Sequence, residues 1–307
     1  MLPECTFYIQ AGKEIGLGHL IRSKNIIDHL RKENIDIRLM MEKDDFINPI
    51  LINLEIHTSR VKKGSGPLII DAINLSNITD NIILSYNPRI LISPVFDRFE
   101  LITHFLTRNL DPGIVNKIPS RVKIEVDPLY FFTTTAHLRK KILDFKELNI
   151  GICISGSNNY VNIKDLLSVI TKLKNVTSVK IIDQYLEPNL QLDNIDINFS
   201  NFEKYPWKYF HDINVFIGGE GIMLSEALSQ NIPAISMCRK KLIGKNKNLV
   251  SSGLLKTIEL SQNWKDILFS ILDNKELLND QYETLKALRI PKSTPLMVEK
   301  IKKIIFN

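Results

Sequence analysis

The chain has 307 residues, 44% hydrophobic and 24% charged, with a formal net charge of +6. That is room for about two domains, with the composition of a soluble globular protein rather than a membrane-spanning one, because no apolar run reaches the roughly 18 residues that cross a bilayer. No basic start leads into a long apolar stretch, so no signal peptide is expected, and Cys5, Cys153 and Cys238 stand too far apart for a disulfide framework or a metal site, which fits a cytoplasmic setting.

In chain order, residues 6–10 read as a strand. A glycine-bearing loop leads into a helix over 17–33, where Leu20, Ile27 and Leu30, with Ile26 beside them, recur at helical spacing. A second strand covers 35–41, a helix 46–54, a short buried strand 68–71 ending in Asp71, and another strand 90–94. No clear period runs through 109–129. The pattern restarts with a strand over 148–154 and a helix over 163–174, then a strand over 179–183 and a short helix over 206–212. A strand over 214–217 enters Gly218-Gly219-Glu220-Gly221, followed by a helix over 222–230 and a strand over 232–237. The tail is helical over 264–288 and, after Pro291, over 294–306. Short apolar strands separated by helices predict an α/β chain with parallel sheets covered on both faces. The two halves look alike, which divides the chain into domains 1–142 and 143–307, with the boundary between Ala136 and Asn149.

Ligands of open α/β sheets bind where strands end and loops enter helices. Three loops suit that role. In the first, Gly16 and Gly18 permit a tight turn and close approach of backbone to a ligand, and the helix start offers N–H groups and a positive dipole end to an anion. His19 lies in the first helical turn, where an imidazole can serve as a general base. Arg22 follows at i+3 on the same face. The second loop, Ser155-Gly156-Ser157, supplies small residues with N–H and O–H donors for a phosphate. The third, Gly218-Gly219-Glu220-Gly221, lets the backbone wrap an anion at a helix start, with Ser225 and Glu226 inside that helix. A carboxylate at Glu226 can accept both hydroxyls of a ribose. No Gly-Lys-Ser/Thr follows, so this is not a P-loop. Asp71 and Asp97 close strands on the ligand side, as substrate contacts or as helix caps. Trp207 and Tyr209 read as packing residues, and Lys245 and Lys247 as candidates to approach a diphosphate.

The six histidines lack mutual metal spacing, so no metal and no cofactor is expected. Basic clusters at Arg139-Lys140-Lys141, at Arg239-Lys240-Lys241, and at Lys300, Lys302 and Lys303 read as solvated helix ends and loops, or as attraction to an anionic substrate or membrane face. No nucleic-acid module is visible.

Gly16-x-Gly18-His19-x-x-Arg22 resembles the N-terminal signature of the UDP-sugar hydrolase of pseudaminic acid biosynthesis and its spore-coat polysaccharide relatives. That group is similar in turn to the transferase that forms lipid II from UDP-N-acetylglucosamine. Ser155-Gly156-Ser157 resembles the Gly-Gly-Thr or Gly-Gly-Ser loop of their second domain. The stretch from Gly219 to Pro233, with Ser225-Glu226-Ala227, resembles their nucleotide-binding loop and ribose-binding glutamate. The resemblance implies a GT-B fold, two Rossmann-like domains facing an interdomain cleft. It implies that the second domain holds the nucleotide, the first the attacking group, and that the last helix crosses back to the first domain. It also implies metal-independent chemistry. The chain departs from the hydrolase at Asp71-Ala72-Ile73, where that family carries Asp-His-Tyr, and at Ser93-Pro94-Val95-Phe96-Asp97, where it carries aspartates.

The reading that follows is an inverting glycosyltransferase of surface polysaccharide or glycan biosynthesis. His19 would be its base, with Arg22 and Asp97 beside it. Its donor would be a nucleotide-sugar and its acceptor a glycan, a lipid-linked group or a protein, at the inner face of the membrane or free in the cytoplasm. The alternatives are a nucleotide-sugar hydrolase in which His19 activates water, and an inactive nucleotide-sugar-binding protein.

Overall fold

Short apolar strands build two parallel sheets in the computed structural model of the chain, which describes residues 4–12, 15, 17–41, 47–53, 56–75, 78–93, 98–108, 110, 112–127, 130, 143–154, 161–182, 195–200, 209–219, 221–238, 246–261, 263–288 and 293–306. The chain divides into two compact units, Met1–Phe132 with Lys292–Asn307, and Thr133–Pro291.

The sheet of the first unit contains β1 (Glu4–Ile9), β2 (Asp36–Met41), β3 (Leu68–Asp71), β4 (Arg89–Leu91), β5 (His104–Thr107) and β6 (Lys123–Val126), in the order β2-β1-β3-β4-β5-β6. The inner strands β1 and β3 are buried almost throughout, as expected of parallel strands with cover on both faces. Their register pairs Ile9 with Asp71, so both strands end at the same level. Helices α1 (Gly18–Lys32), α2 (Asn48–Asn53), α3 (Asp80–Ile83) and α4 (Pro112–Val115) lie in the connections. On one face, Tyr8, Met40, Ile70, Leu91 and Phe105 join Ile83, Tyr86 and Phe99 in one apolar core.

The terminal helix α10 (Ser293–Phe306) belongs to this unit and packs on α1. Met297, Val298 and Ile301 form its buried stripe. Lys302 reaches Glu33 at 3.2 Å, and Lys300 reaches Glu125 at 2.6 Å.

The second unit holds β7 (Leu148–Cys153), β8 (Val176–Ile182), β9 (Asp196–Ser200), β10 (Val215–Gly218), β11 (Ala234–Cys238) and β12 (Lys256–Glu259), in the order β12-β11-β10-β7-β8-β9. Its helices are α5 (Ile163–Ile170), α6 (Ile222–Ser229), α7 (Lys247–Ser251), α8 (Trp264–Asp273) and α9 (Lys275–Leu288).

Several elements differ from the sequence expectation. β6 falls in the stretch without clear period because it alternates Lys123 and Glu125 with Ile124 and Val126, and the last two stay 36% and 42% exposed at the sheet margin. β9 and β12 are likewise outer strands of mixed polarity. The expected helix over 264–288 breaks at Asn274, whose side chain accepts from Leu277 N at 3.0 Å and so starts α9 as an N-cap does. β8 begins three residues earlier than its apolar centre suggests, and α5 stops at Ile170. Of the helix expected over 206–212, Tyr209 and Phe210 form a helical turn and 206–208 lie outside the described residues.

Candidate functional site

The site begins with α1. Leu20, Ile21, Ser23, Ile26, Ile27 and Leu30 are buried, which fixes the rotation of the helix. That rotation carries His19, Arg22 and Ser23, at i, i+3 and i+4, to one side. They meet Asp71, the last residue of β3. His19 Nδ1 lies 2.5 Å from Asp71 Oδ1. Arg22 Nε donates to Asp71 Oδ2 at 2.9 Å, and its Nη2 donates to Oδ1. Ser23 Oγ donates to Oδ2 at 2.9 Å. Each carboxylate oxygen therefore receives two hydrogen bonds, which fills the acceptor capacity of the group.

The Asp71 side chain is fully buried, whereas those of His19 and Arg22 keep 13% and 15% of their surface. Burial pushes the Asp71 carboxyl up, but the charges of Arg22 and His19 and the hydrogen bonds from both outweigh it and hold the group well below the usual carboxylate range. Asp71 is thus an anion with no open side. Asp71, expected as a substrate contact or a helix cap, has both carboxylate oxygens bonded by residues of α1.

Heavy atoms 2.5 Å apart need a proton between them, since two facing lone pairs would repel. With Asp71 ionised, that proton sits on His19 Nδ1. An imidazole bonded in this way carries its lone pair on Nε2 whenever it is neutral, the arrangement that orients a histidine base. Arg22 Nη2 lies 2.9 Å from the same Nδ1. Its charge is offset by Asp71, so it braces the pair rather than standing as an open cation.

Leu17, at the N-cap of α1, makes no side-chain cap bond. A Cβ at Gly18 would meet nothing within 4 Å, so there is open space beside it. Gly16 and Asp97 lie outside the described residues.

In the second unit, β10 ends at Gly218, where a Cβ would come 2.5 Å from Phe216 Cε1 and 3.1 Å from the Cys153 carbonyl oxygen. Glycine is needed there for want of room. Gly219 N donates to Cys153 O at 3.2 Å, which ties the loop to β7. Gly221 takes the N-cap position of α6 with extended backbone and no side-chain cap bond. Ser225 and Glu226 are buried inside α6, at 3% and 0% exposure. Ser155, Gly156, Ser157 and Glu220 lie outside the described residues, as do Trp207 and Lys245, while Lys247 is exposed at the start of α7.

The structure brings His19, Arg22 and Asp71 together. It adds Ser23, Gln10 and Asn74 around Asp71, residues that sequence reasoning passed over. The signal for Ser23 was its place one turn after His19. Cys5, Cys153 and Cys238 are free and buried. Among the described residues, no group of three or more His, Cys, Asp or Glu could hold a metal ion.

No protein-family model matches the sequence, and no curated relative matches it either. Solved structures do. MurG of Acinetobacter baumannii superposes with a TM-score of 0.64 at 13% identity, over 98% of this chain and 100% of its own. The glycotransferase of kitacinnamycin gives 0.66 at 12% identity, with 99% of each chain covered. MnaA of S. aureus, in a structure with UDP, gives 0.65 at 12% identity, over 100% of this chain and 98% of its own. What these chains share with this one is the GT-B fold of two Rossmann-like domains, each built on a parallel sheet.

Proposed function

We propose that the chain is an inverting glycosyltransferase that uses a nucleotide-sugar donor, with His19 as general base. The observation that carries this reading is the 2.5 Å contact between His19 Nδ1 and a buried, ionised Asp71. It turns Nε2 into the basic nitrogen. Nε2 takes the proton of an acceptor hydroxyl as that oxygen attacks the anomeric carbon of the donor. The bond from the anomeric carbon to the phosphate oxygen breaks on the opposite face, so the configuration inverts and the nucleotide diphosphate leaves. The imidazolium formed is balanced by Asp71, which stays anionic throughout. Arg22 and Ser23 hold that carboxylate in place. The step draws on side chains and main-chain N–H groups, without metal or cofactor.

The nucleotide is assigned to the second unit, at Gly218, Gly219, Glu220 and Gly221 and at Ser155, Gly156 and Ser157, with Ser225 and Glu226 at the ribose. Support comes from the motif order and from the fold shared with a chain solved with UDP. A UDP-sugar is the donor this favours. The acceptor is a glycan, a lipid-linked group or a protein, and the setting is surface polysaccharide synthesis at the cytoplasmic face of a membrane. No helix among the described residues is long and apolar enough to cross one. Asp97 is retained as a second acidic group beside the acceptor.

The test is nucleotide release from a panel of UDP-, CDP-, GDP- and CMP-sugars, with and without acceptor. Release that needs the acceptor, and that is lost in His19→Ala while nucleotide binding persists, is the expected result. Release without acceptor would make the chain a nucleotide-sugar hydrolase in which His19 activates water. Binding without release from any donor would leave an inactive nucleotide-sugar-binding protein.

A further inference from the structure

The base depends on Asp71, and Asp71 is the last residue of a strand only four residues long. Strand ends are where short strands open first. Something must therefore hold this end, because a shift near 1 Å in a catalytic group costs about 10²-fold in rate. Gln10, one residue beyond β1, is placed to do so. Its main-chain N–H donates to the Asp71 carbonyl at 3.1 Å and prolongs the β1–β3 ladder by one bond. Its side chain then reaches past Asp71. Oε1 accepts from Ile73 N at 3.0 Å and from Asn74 N at 3.2 Å, and Nε2 donates to Asn74 Oδ1 at 3.0 Å. The chain is thus gripped at Asp71 and again two and three residues later. Gln10 is 6% exposed, so water competes little for these bonds.

We propose that Gln10 is a positioning residue for His19, clamping the end of β3 so that the Asp71 carboxylate stays seated on His19 Nδ1, Arg22 and Ser23. The proposal rests on the reading of His19 as base. It gives the amide of Gln10 a task that no apolar side chain of equal length can perform, because two main-chain N–H groups need one acceptor oxygen between them. Glutamate keeps that acceptor; methionine does not.

The experiment uses the full chain with 15N-labelled histidine. The His19 Nδ1 proton is identified as the signal lost in His19→Gln, and its exchange with water is measured at neutral pH. In Gln10→Met, with melting showing a folded protein, the exchange is expected to be roughly tenfold faster than in the unsubstituted chain, since the clamp is gone and the strand end opens more often. In Gln10→Glu it should stay within about threefold, because both N–H groups remain bonded. Equal exchange in Gln10→Met and the unsubstituted chain overturns the proposal. Should Gln10→Met fail to fold, Gln10→Asn, too short to reach both N–H groups, is read the same way with the same two outcomes. The proton reports the His19–Asp71 bond and not turnover. A donor panel that shows no nucleotide release would thus sink the transferase reading and leave this measurement able to decide its own question. With an active donor in hand, Gln10→Met should lower kcat by about 10²-fold with KM little changed.

Discussion

Asparagine at position 71 separates the two tasks of the aspartate, holding α1 and orienting His19. The carboxylate accepts four hydrogen bonds, one from His19, two from Arg22 and one from Ser23. An amide of the same shape offers one acceptor oxygen and one donor, so two of the four donors lose their partner and Arg22 loses its counter-charge. Breaking a buried ion pair by removing one partner costs about 3–5 kcal/mol. Arg22 keeps 15% of its surface for water, so the lower end, about 3 kcal/mol, is expected at pH 7.

The pH dependence has a definite sign. The folded Asp71 carboxyl titrates below its unfolded value, so its contribution is fully present above about pH 4 and is lost as the pH falls toward the folded value. The unsubstituted chain should lose stability below pH 4 relative to Asp71→Asn, and the gap between them should narrow there. The amide also faces His19 Nδ1 with either tautomer, so Nε2 is no longer reserved as the base. A comparable change behind a histidine base lowers turnover about 10⁴-fold. Urea unfolding at pH 7 and pH 3, with nucleotide release at saturating donor, measures both effects. Turnover within about tenfold of the unsubstituted enzyme would refute the orienting role, and equal stability at pH 7 would refute the ion-pair argument.

Three further outcomes are expected. Glu226→Gln should weaken UDP binding roughly tenfold to hundredfold by titration calorimetry, the loss of charge-assisted bonds to ribose hydroxyls; unchanged affinity would remove Glu226 from the ribose. Gly218→Ala should cost about 1–3 kcal/mol in thermal unfolding, because the new methyl meets the buried Phe216 ring and the Cys153 carbonyl; an unaltered melting temperature would mean the loop can give way. Gln281→Leu should cost about 1–3 kcal/mol for each carbonyl left without a donor, since Gln281 Nε2 serves Ala234 O at 3.0 Å and Leu254 O at 2.9 Å, and a stabilised variant would contradict that.

The sequence by itself determined the alternation of strands and helices, because apolar runs such as 68–71 and 214–217 cannot be left in water and glycines mark where they turn into helices. It determined that His19 and Arg22 share one face of α1, since i and i+3 always do. It pointed to Gly218 through Gly221 as a strand-to-helix loop, and there α6 begins. It did not register β5, an inner strand of only four residues, nor β6, β9 and β12, whose mixed polarity is that of strands at sheet margins. Only the tertiary structure decided what lies opposite His19. Asp71 is 52 residues away along the chain, and it arrives because β1 and β3 pair in a register that ends both strands level. The opening motif offered a histidine and an arginine on one face of a helix. The fold sets both against a buried carboxylate. Local spacing sets which side chains share a face, but only strand pairing sets what that face meets.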